Sequence, residues 1–248
     1  MKTISLKTIS EKGISLIKLS TAAILAMNMI GCTVEADYTD VADRNDVATF
    51  GDSIFDLNGV IQTELEASAG ETFRDYTTSG AKMSGGSLAP AVDEQYASAN
   101  AVNPDITTIV MNGGGNDILI PALTFDQYRC KTTWYRKNLS DKCKNLIHDI
   151  YVTGVNLLDQ MDADGVESIV YLGYYELPRG KTNLNQAVNY GDLYLGDACE
   201  VGTTANCTFV DPRGTIPASD VESDDIHPTV NGSVTLAGQI WPVLEPLL

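Results

Sequence analysis

Histidine is almost missing from the 248-residue chain, which has only His148 and His227, and its 16 Lys and Arg are outnumbered by 33 Asp and Glu. Two histidines leave little for a metal cage, and a formal net charge of −17 sets the surface against nucleic acid and anionic lipid. No acidic run has the spacing of a calcium loop, so neither a metal nor a cofactor is expected. Repeats and low-complexity segments are absent as well. With 44% hydrophobic and 20% charged residues and a mean hydropathy of −0.05, the composition excludes a disordered chain and one that crosses a membrane many times. The length suits one sizeable domain.

Residues 1–31 read differently from the rest. Lys2, Lys7, Lys12 and Lys18 precede an apolar run from Ala22 to Ile30, and Gly31-Cys32 follows. This is the layout of a signal peptide; the run is too short for a transmembrane helix and ends without a stop-transfer cluster. Met29-Ile30-Gly31-Cys32 resembles a bacterial lipoprotein cleavage box, with Met29 where leucine is usual, which implies lipidation of Cys32; plain secretion needs the same charged and apolar regions. Either route exports the protein to the cell envelope or beyond it, and a lipid on Cys32 is then its one link to a membrane. Removing the four Lys and one Glu of residues 1–31 leaves 12 basic and 32 acidic residues, net −20, in the exported part.

Cysteine usage agrees with export. Apart from Cys32 there are Cys130, Cys143, Cys199 and Cys207, an even set in two locally spaced pairs, and disulfides persist in oxidising compartments. The expected bridges are Cys130–Cys143 and Cys199–Cys207, although other pairings of four cysteines are open. A zinc site would use much closer pairs.

After Cys32 the polar, acidic stretch 32–45 suits a tether, and a folded domain is expected over 46–248. Short β-branched or aromatic runs at Val47–Phe50, Thr72–Tyr76, Ile106–Met111, Ser168–Leu172 and Thr208–Val210 alternate with amphipathic stretches. That alternation is the pattern of an α/β domain with a five-stranded parallel sheet between helices. Helices are expected around Val60-Ile61-Leu65, through Leu146–Met161 with a stop at Asp164-Gly165, and over Val230–Leu244 after Pro228, disturbed at Pro242. Two stretches, Pro121–Lys144 and Tyr174–Asn206, stand outside the alternation and read as long loops, each holding one expected bridge. They are either walls of a substrate site or decorative insertions.

The first expected strand ends at Phe50, and Gly51-Asp52-Ser53 follows at once. Ligands of α/β sheets bind beyond the carboxyl ends of strands, so Ser53 would face that crevice; a serine in such a turn also commonly caps the next helix. A hydroxyl becomes a competent nucleophile only beside a base that is itself oriented by a third group. His148 falls in a long amphipathic helix, away from any strand end. His227 falls in Asp224-Asp225-Ile226-His227-Pro228, between the last strand and the last helix, and Asp224, three residues earlier, has the spacing to hold its Nδ1 proton. Donors for an oxyanion are available in two glycine-bearing turns, Thr78-Ser79-Gly80-Ala81 and Asn112-Gly113-Gly114-Gly115-Asn116-Asp117. Gly80 is alternatively a plain turn residue and Asn116 a helix cap.

Gly51-Asp52-Ser53, Ser79-Gly80, Gly114-Gly115-Asn116-Asp117 and Asp224-Asp225-Ile226-His227-Pro228, in this order, resemble the four blocks of the SGNH (GDSL) hydrolases. The resemblance implies a flavodoxin-like three-layer α/β/α sandwich. It also implies roles: Ser53 as nucleophile and backbone donor, Gly80 and Asn116 as further oxyanion donors, His227 as base and Asp224 as its orienter. The second block departs from the family, since Tyr76-Thr77-Thr78 stands where an asparagine is usual; Gly85 and Gly86 are the fallback donors. Family members include lipases, lysophospholipases, arylesterases and polysaccharide deacetylases. A serine esterase for short-chain carboxylic esters is expected, with an O-acetyl esterase acting on polysaccharide or a lipase as alternatives. Trp134, Tyr135, Tyr174 and Tyr175 would then stack on sugar or aromatic rings, or else pack under the insertions. The rival from another class is an inactive binding lipoprotein on the surface, which has no need for all four of Ser, Asn, Asp and His.

Overall fold

A computed structural model describes residues 37–86 and 88–248; the signal segment 1–31 and Cys32 lie outside the described residues. Five strands form one parallel sheet in the order β2-β1-β3-β4-β5: β1 (Arg44–Phe50), β2 (Phe73–Asp75), β3 (Thr108–Met111), β4 (Ser168–Leu172) and β5 (Asn206–Val210). Among the described residues seven α-helices connect and cover them: α1 (Ser53–Asp56), α2 (Val60–Ala69), α3 (Val92–Val102), α4 (Gly115–Thr124), α5 (Asp141–Ala163), α6 (Asn185–Val201) and α7 (Val230–Leu244). This is the expected three-layer sandwich, and the strand order is that of flavodoxin-like sheets.

Alternation along the strands divides the core in two. Val47, Val110 and Val170 pack with Phe55, Leu65 and Leu236 on the side of α1, α2 and α7. Ala48, Ile109 and Ile169 pack with Tyr96, Leu158 and Leu195 on the side of α3, α5 and α6. Burial on both faces explains why the strands read as continuous apolar runs rather than alternating ones.

The folded body begins before Asp46. β1 starts at Arg44, Thr39 and Asp75 exchange backbone hydrogen bonds of 2.9 and 3.2 Å, and Tyr38 lies against Tyr76 with ring centroids 4.8 Å apart. The part of the 32–45 tether that is described therefore packs on the edge strand β2. Its polar residues have partners there: Asp40 Oδ1 accepts from the Tyr76 hydroxyl at 2.8 Å, a contact that polarity alone could not reveal.

The second long loop is a helix. Tyr174–Asn206 contains a 3-10 turn at Arg179–Leu184 and the 17-residue α6. Its buried positions Ala187, Asp192, Leu195, Ala198 and Cys199 do recur at helical spacing, but tyrosines and glycines between them obscure it. Helix α3 likewise shows no clear apolar period in the sequence, because its buried face carries Gln95 beside Val92, Tyr96 and Ala99. Both expected bridges are present, Cys130–Cys143 with 5.1 Å and Cys199–Cys207 with 5.3 Å between Cα atoms. The first ties the segment before α5 to its first turn, and the second ties α6 to β5. By loop entropy each is worth about 3 kcal/mol. Replacing Cys199 and Cys207 with Ser should thus lower unfolding free energy by about 2–4 kcal/mol, read as a lower urea midpoint.

Candidate active site

The sheet's carboxyl end is where the predicted residues meet. Ser53 opens α1, with Asp52 as N-cap accepting from Ile54 N at 2.9 Å. His227 comes from the loop before α7, and its Nε2 lies 2.9 Å from Ser53 Oγ. Its Nδ1 lies 2.6 Å from Asp224 Oδ2. The other carboxylate oxygen, Oδ1, accepts from the amides of Ile226 at 2.9 Å and His227 at 3.1 Å. Burial opposes charge on Asp224, but these hydrogen bonds win and hold its carboxyl down at about 2. An ionised Asp224 keeps the ring proton on Nδ1, which leaves the Nε2 lone pair facing the serine hydroxyl.

The turn bearing Ser53 is locked to its neighbour strand. Asp52 N donates to Asn112 Oδ1 at 2.9 Å, and Asn112 Nδ2 donates to Asp52 Oδ1 at 2.8 Å. Gly51 is held by Gln95 of α3, which accepts from its N–H at 2.8 Å and donates to its carbonyl at 2.9 Å. Only glycine fits at position 51, where φ is +154° and a Cβ would lie 2.0 Å from Asn112 Oδ1.

The further residues expected as oxyanion donors come from the segments after β2 and β3. Thr78 N donates to Gly51 O at 3.0 Å, which sets the Gly80 turn beside the end of β1. Among the described residues the amides of Ser53 and Gly80 have no acceptor. Asn116 is buried at the start of α4 and shares a cleft with Ser53. One of its two amide hydrogens is taken by Ala81 O at 2.9 Å, which fixes the side chain and leaves the other. Neither Gly80 nor the fallback donors Gly85 and Gly86 line that cleft. The other histidine, His148, is exposed on α5 and stacks on Tyr151.

Two residues after β4 bind the site together, and nothing in their spacing announced it. The Tyr174 hydroxyl donates to Asp52 Oδ2 at 2.7 Å and accepts from Gly115 N at 3.0 Å. Burial and the Asp52 charge push its phenol well above the ordinary value, so it stays a donor. Tyr175 donates to Ile226 O in the histidine loop. A third brace, Arg179, pairs with Asp225 and donates to the carbonyls of Ala218 at 2.6 Å, Val221 at 3.1 Å and Glu222 at 2.6 Å. Asp225, the neighbour of Asp224, thus fastens the loop that carries Asp224 and His227.

Ser53 and Asn116 open onto a cleft whose walls are mostly apolar. Tyr174 and Tyr175 line it, whereas Trp134 and Tyr135 do not; these are 87% and 70% exposed and pack edge to face on each other. No residue of 121–144 lines it, whereas the α6 stretch does, so only one of the two insertions is a wall of the site. Among the described residues no three His, Cys, Asp or Glu side chains converge as a metal cage.

Ser53, His227 and Asp224 thus form a hydrogen-bonded chain at the carboxyl end of a parallel sheet between helices. Known structures narrow the fold. A lipase from a goat rumen metagenome matches with a TM-score of 0.57 at 12% identity, covering 78% of this chain and 94% of its own. TesA matches with 0.56 at 18% identity, covering 82% and 99%. A carbohydrate esterase family 3 protein from Talaromyces cellulolyticus matches with 0.54 at 16% identity, covering 81% and 96%. The fold is that of the SGNH hydrolases, a group to which a further match from Slackia heliotrinireducens is assigned in name. No family model and no curated protein matches the chain in sequence.

Replacing Tyr174 with Phe removes one hydroxyl and strands two buried partners, Asp52 Oδ2 and the Gly115 amide. The expected cost is about 1–3 kcal/mol of unfolding free energy, measured by urea titration at neutral pH.

Proposed function

We propose that the protein is a serine esterase that hydrolyses carboxylic esters through an acyl-enzyme intermediate. The observation that carries this reading is the unbroken chain from Ser53 Oγ through His227 to Asp224, at 2.9 and 2.6 Å, opening on an apolar cleft. Ser53 Oγ attacks the ester carbonyl carbon while its proton passes to His227 Nε2. The charge that develops on the carbonyl oxygen is met by the amides of Ser53 and Gly80 and by Asn116 Nδ2. Collapse breaks the C–O bond, and the alcohol leaves with the proton from His227. Water, deprotonated by the same nitrogen, then releases the acid and restores Ser53. Asp224 stabilises the imidazolium formed in each half.

Export is part of the same reading: a signal segment at 1–31, lipidation or simple release at Cys32, and a hydrolase domain beyond the tether. Two disulfides and the strongly acidic composition support a working place outside the cytoplasm. A small-molecule ester is favoured over an acetylated polysaccharide, because the exposed Trp134 and Tyr135 lie apart from the cleft lining. An inert binding protein would have no use for a histidine held in one tautomer against a serine.

Ser53→Ala should abolish covalent labelling by a fluorophosphonate ester, followed by intact mass; continued labelling would remove Ser53 from the chemistry. Asn116→Ala should lower kcat by about 10²–10³ on p-nitrophenyl acetate if its amide meets the oxyanion, and an unchanged kcat would remove it from that role.

A further inference from the structure

We propose that segment 125–144, the insertion that takes no part in the cleft, is a docking surface for an anionic lipid membrane, entered by Trp134 and Tyr135 and held by the bases around them. The proposal does not depend on the esterase reading.

Charge in the exported part is unevenly spread. Segment 125–144 holds six of its twelve basic residues, Arg129, Lys131, Arg136, Lys137, Lys142 and Lys144, and only two of its thirty-two acids, Asp126 and Asp141. Everything else carries 6 basic and 30 acidic residues, net −24, against +4 here. The arginines elsewhere are already engaged: Arg74 is buried, and Arg44, Arg179 and Arg213 pair with carboxylates. Within the segment Arg136 pairs with Asp126 at 3.4 Å. The other five bases make no ion pair among the described residues, and Arg129, Lys137, Lys142 and Lys144 are exposed. At about 0.1 M salt, charges more than ~10 Å from a surface are largely screened. Bases in contact with anionic lipid therefore act on it, while the acidic body behind them does not, and each strengthens binding about fivefold.

The apolar part is a projecting tip. Thr133 and Arg136 exchange backbone hydrogen bonds of 2.8 and 3.2 Å, which closes a tight turn with Trp134 and Tyr135 as its two outer residues. Phe125, next to the Asp126 that pairs with Arg136, is as exposed as they are. The foot of the turn is anchored. Thr132 N donates to Asn183 O at 2.8 Å, Gln186 donates to Lys137 O, and Cys130–Cys143 closes the segment. Aromatics gathered in water on an anchored turn mark a surface that meets an apolar partner. Trp and Tyr rings settle at the headgroup level of a bilayer, where Lys and Arg beside them reach the phosphates. A polysaccharide calls for a groove or a flat platform, and two rings set at 85° to each other on a tip offer neither.

The test uses residues 33–248, one compact unit, which omits the apolar run 22–30 and Cys32, so that any binding belongs to the folded body. It is sedimented at about 0.1 M salt with vesicles of phosphatidylcholine alone and of phosphatidylcholine mixed equally with phosphatidylglycerol. Partition onto the anionic vesicles should be at least about tenfold stronger, with a blue shift of tryptophan emission. Trp134→Ala combined with Tyr135→Ala should remove the shift and weaken partition at least about tenfold. Lys137→Gln, Lys142→Gln and Lys144→Gln together should weaken it about a hundredfold. All five side chains are exposed, an unchanged urea midpoint shows that a variant is folded, and either variant alone carries the test. No preference for anionic vesicles, or undiminished partition in a folded variant, overturns the proposal. Retention on immobilised polygalacturonate without vesicle binding overturns lipid as the occupant and gives the tip to an acidic polysaccharide.

Discussion

Asn112, the residue after β3, gives both ends of its amide to Asp52, accepting at 2.9 Å and donating at 2.8 Å. Gly51 lets the two turns approach this closely, since any Cβ there would fall on the Asn112 oxygen. The pairing joins the turn that carries Ser53 to the turn that leads to Asn116, although sixty residues separate them in sequence. A buried amide paired with a buried carboxylate tolerates little displacement, because each group left alone would cost its full desolvation. The relative position of Ser53 and Asn116, the proposed nucleophile and oxyanion donor, is therefore fixed before any ligand arrives, which is the condition under which such donors act most strongly.

The segment after β4 extends that constraint to the remaining loop. Tyr174 reaches Asp52 and Gly115, Tyr175 reaches Ile226, and Arg179 gathers the carbonyls of 218–222 together with Asp225. Three turns that issue from three different strands are thus braced from one short stretch. The same stretch continues into α6, which walls the cleft and is fastened to β5 by Cys199–Cys207. What read in sequence as an insertion is the element against which the site is assembled.

Much of the fold was legible because burial on both faces makes parallel strands nearly continuous apolar runs. The expected strand Ser168–Leu172 coincides with β4, and those at β1 and β5 end where expected and start two or three residues earlier. The long helix ends at its expected stop, where Asp164 caps it and Gly165 takes φ +99°. Helices α3 and α6 were illegible for a common reason. Their buried faces include polar groups, Gln95 and Asp192, whose partners lie in distant turns. Burial of a polar residue follows from a partner elsewhere, not from periodicity.

Sequence by itself determined the members of the candidate site whose chemistry admits few substitutes. With two histidines in the chain, one of them three residues after an aspartate, a serine at a strand end had a single base to find, and the 2.9 Å contact joins that pair. Only the tertiary structure decided what holds these groups and what they open onto. Asn112, Tyr174 and Arg179 act through hydrogen bonds across 60, 122 and 46 residues of chain, and such separations leave no local trace. The cleft likewise exists only once α4, α5 and α6 are packed, because its walls are side chains that any buried helix would carry.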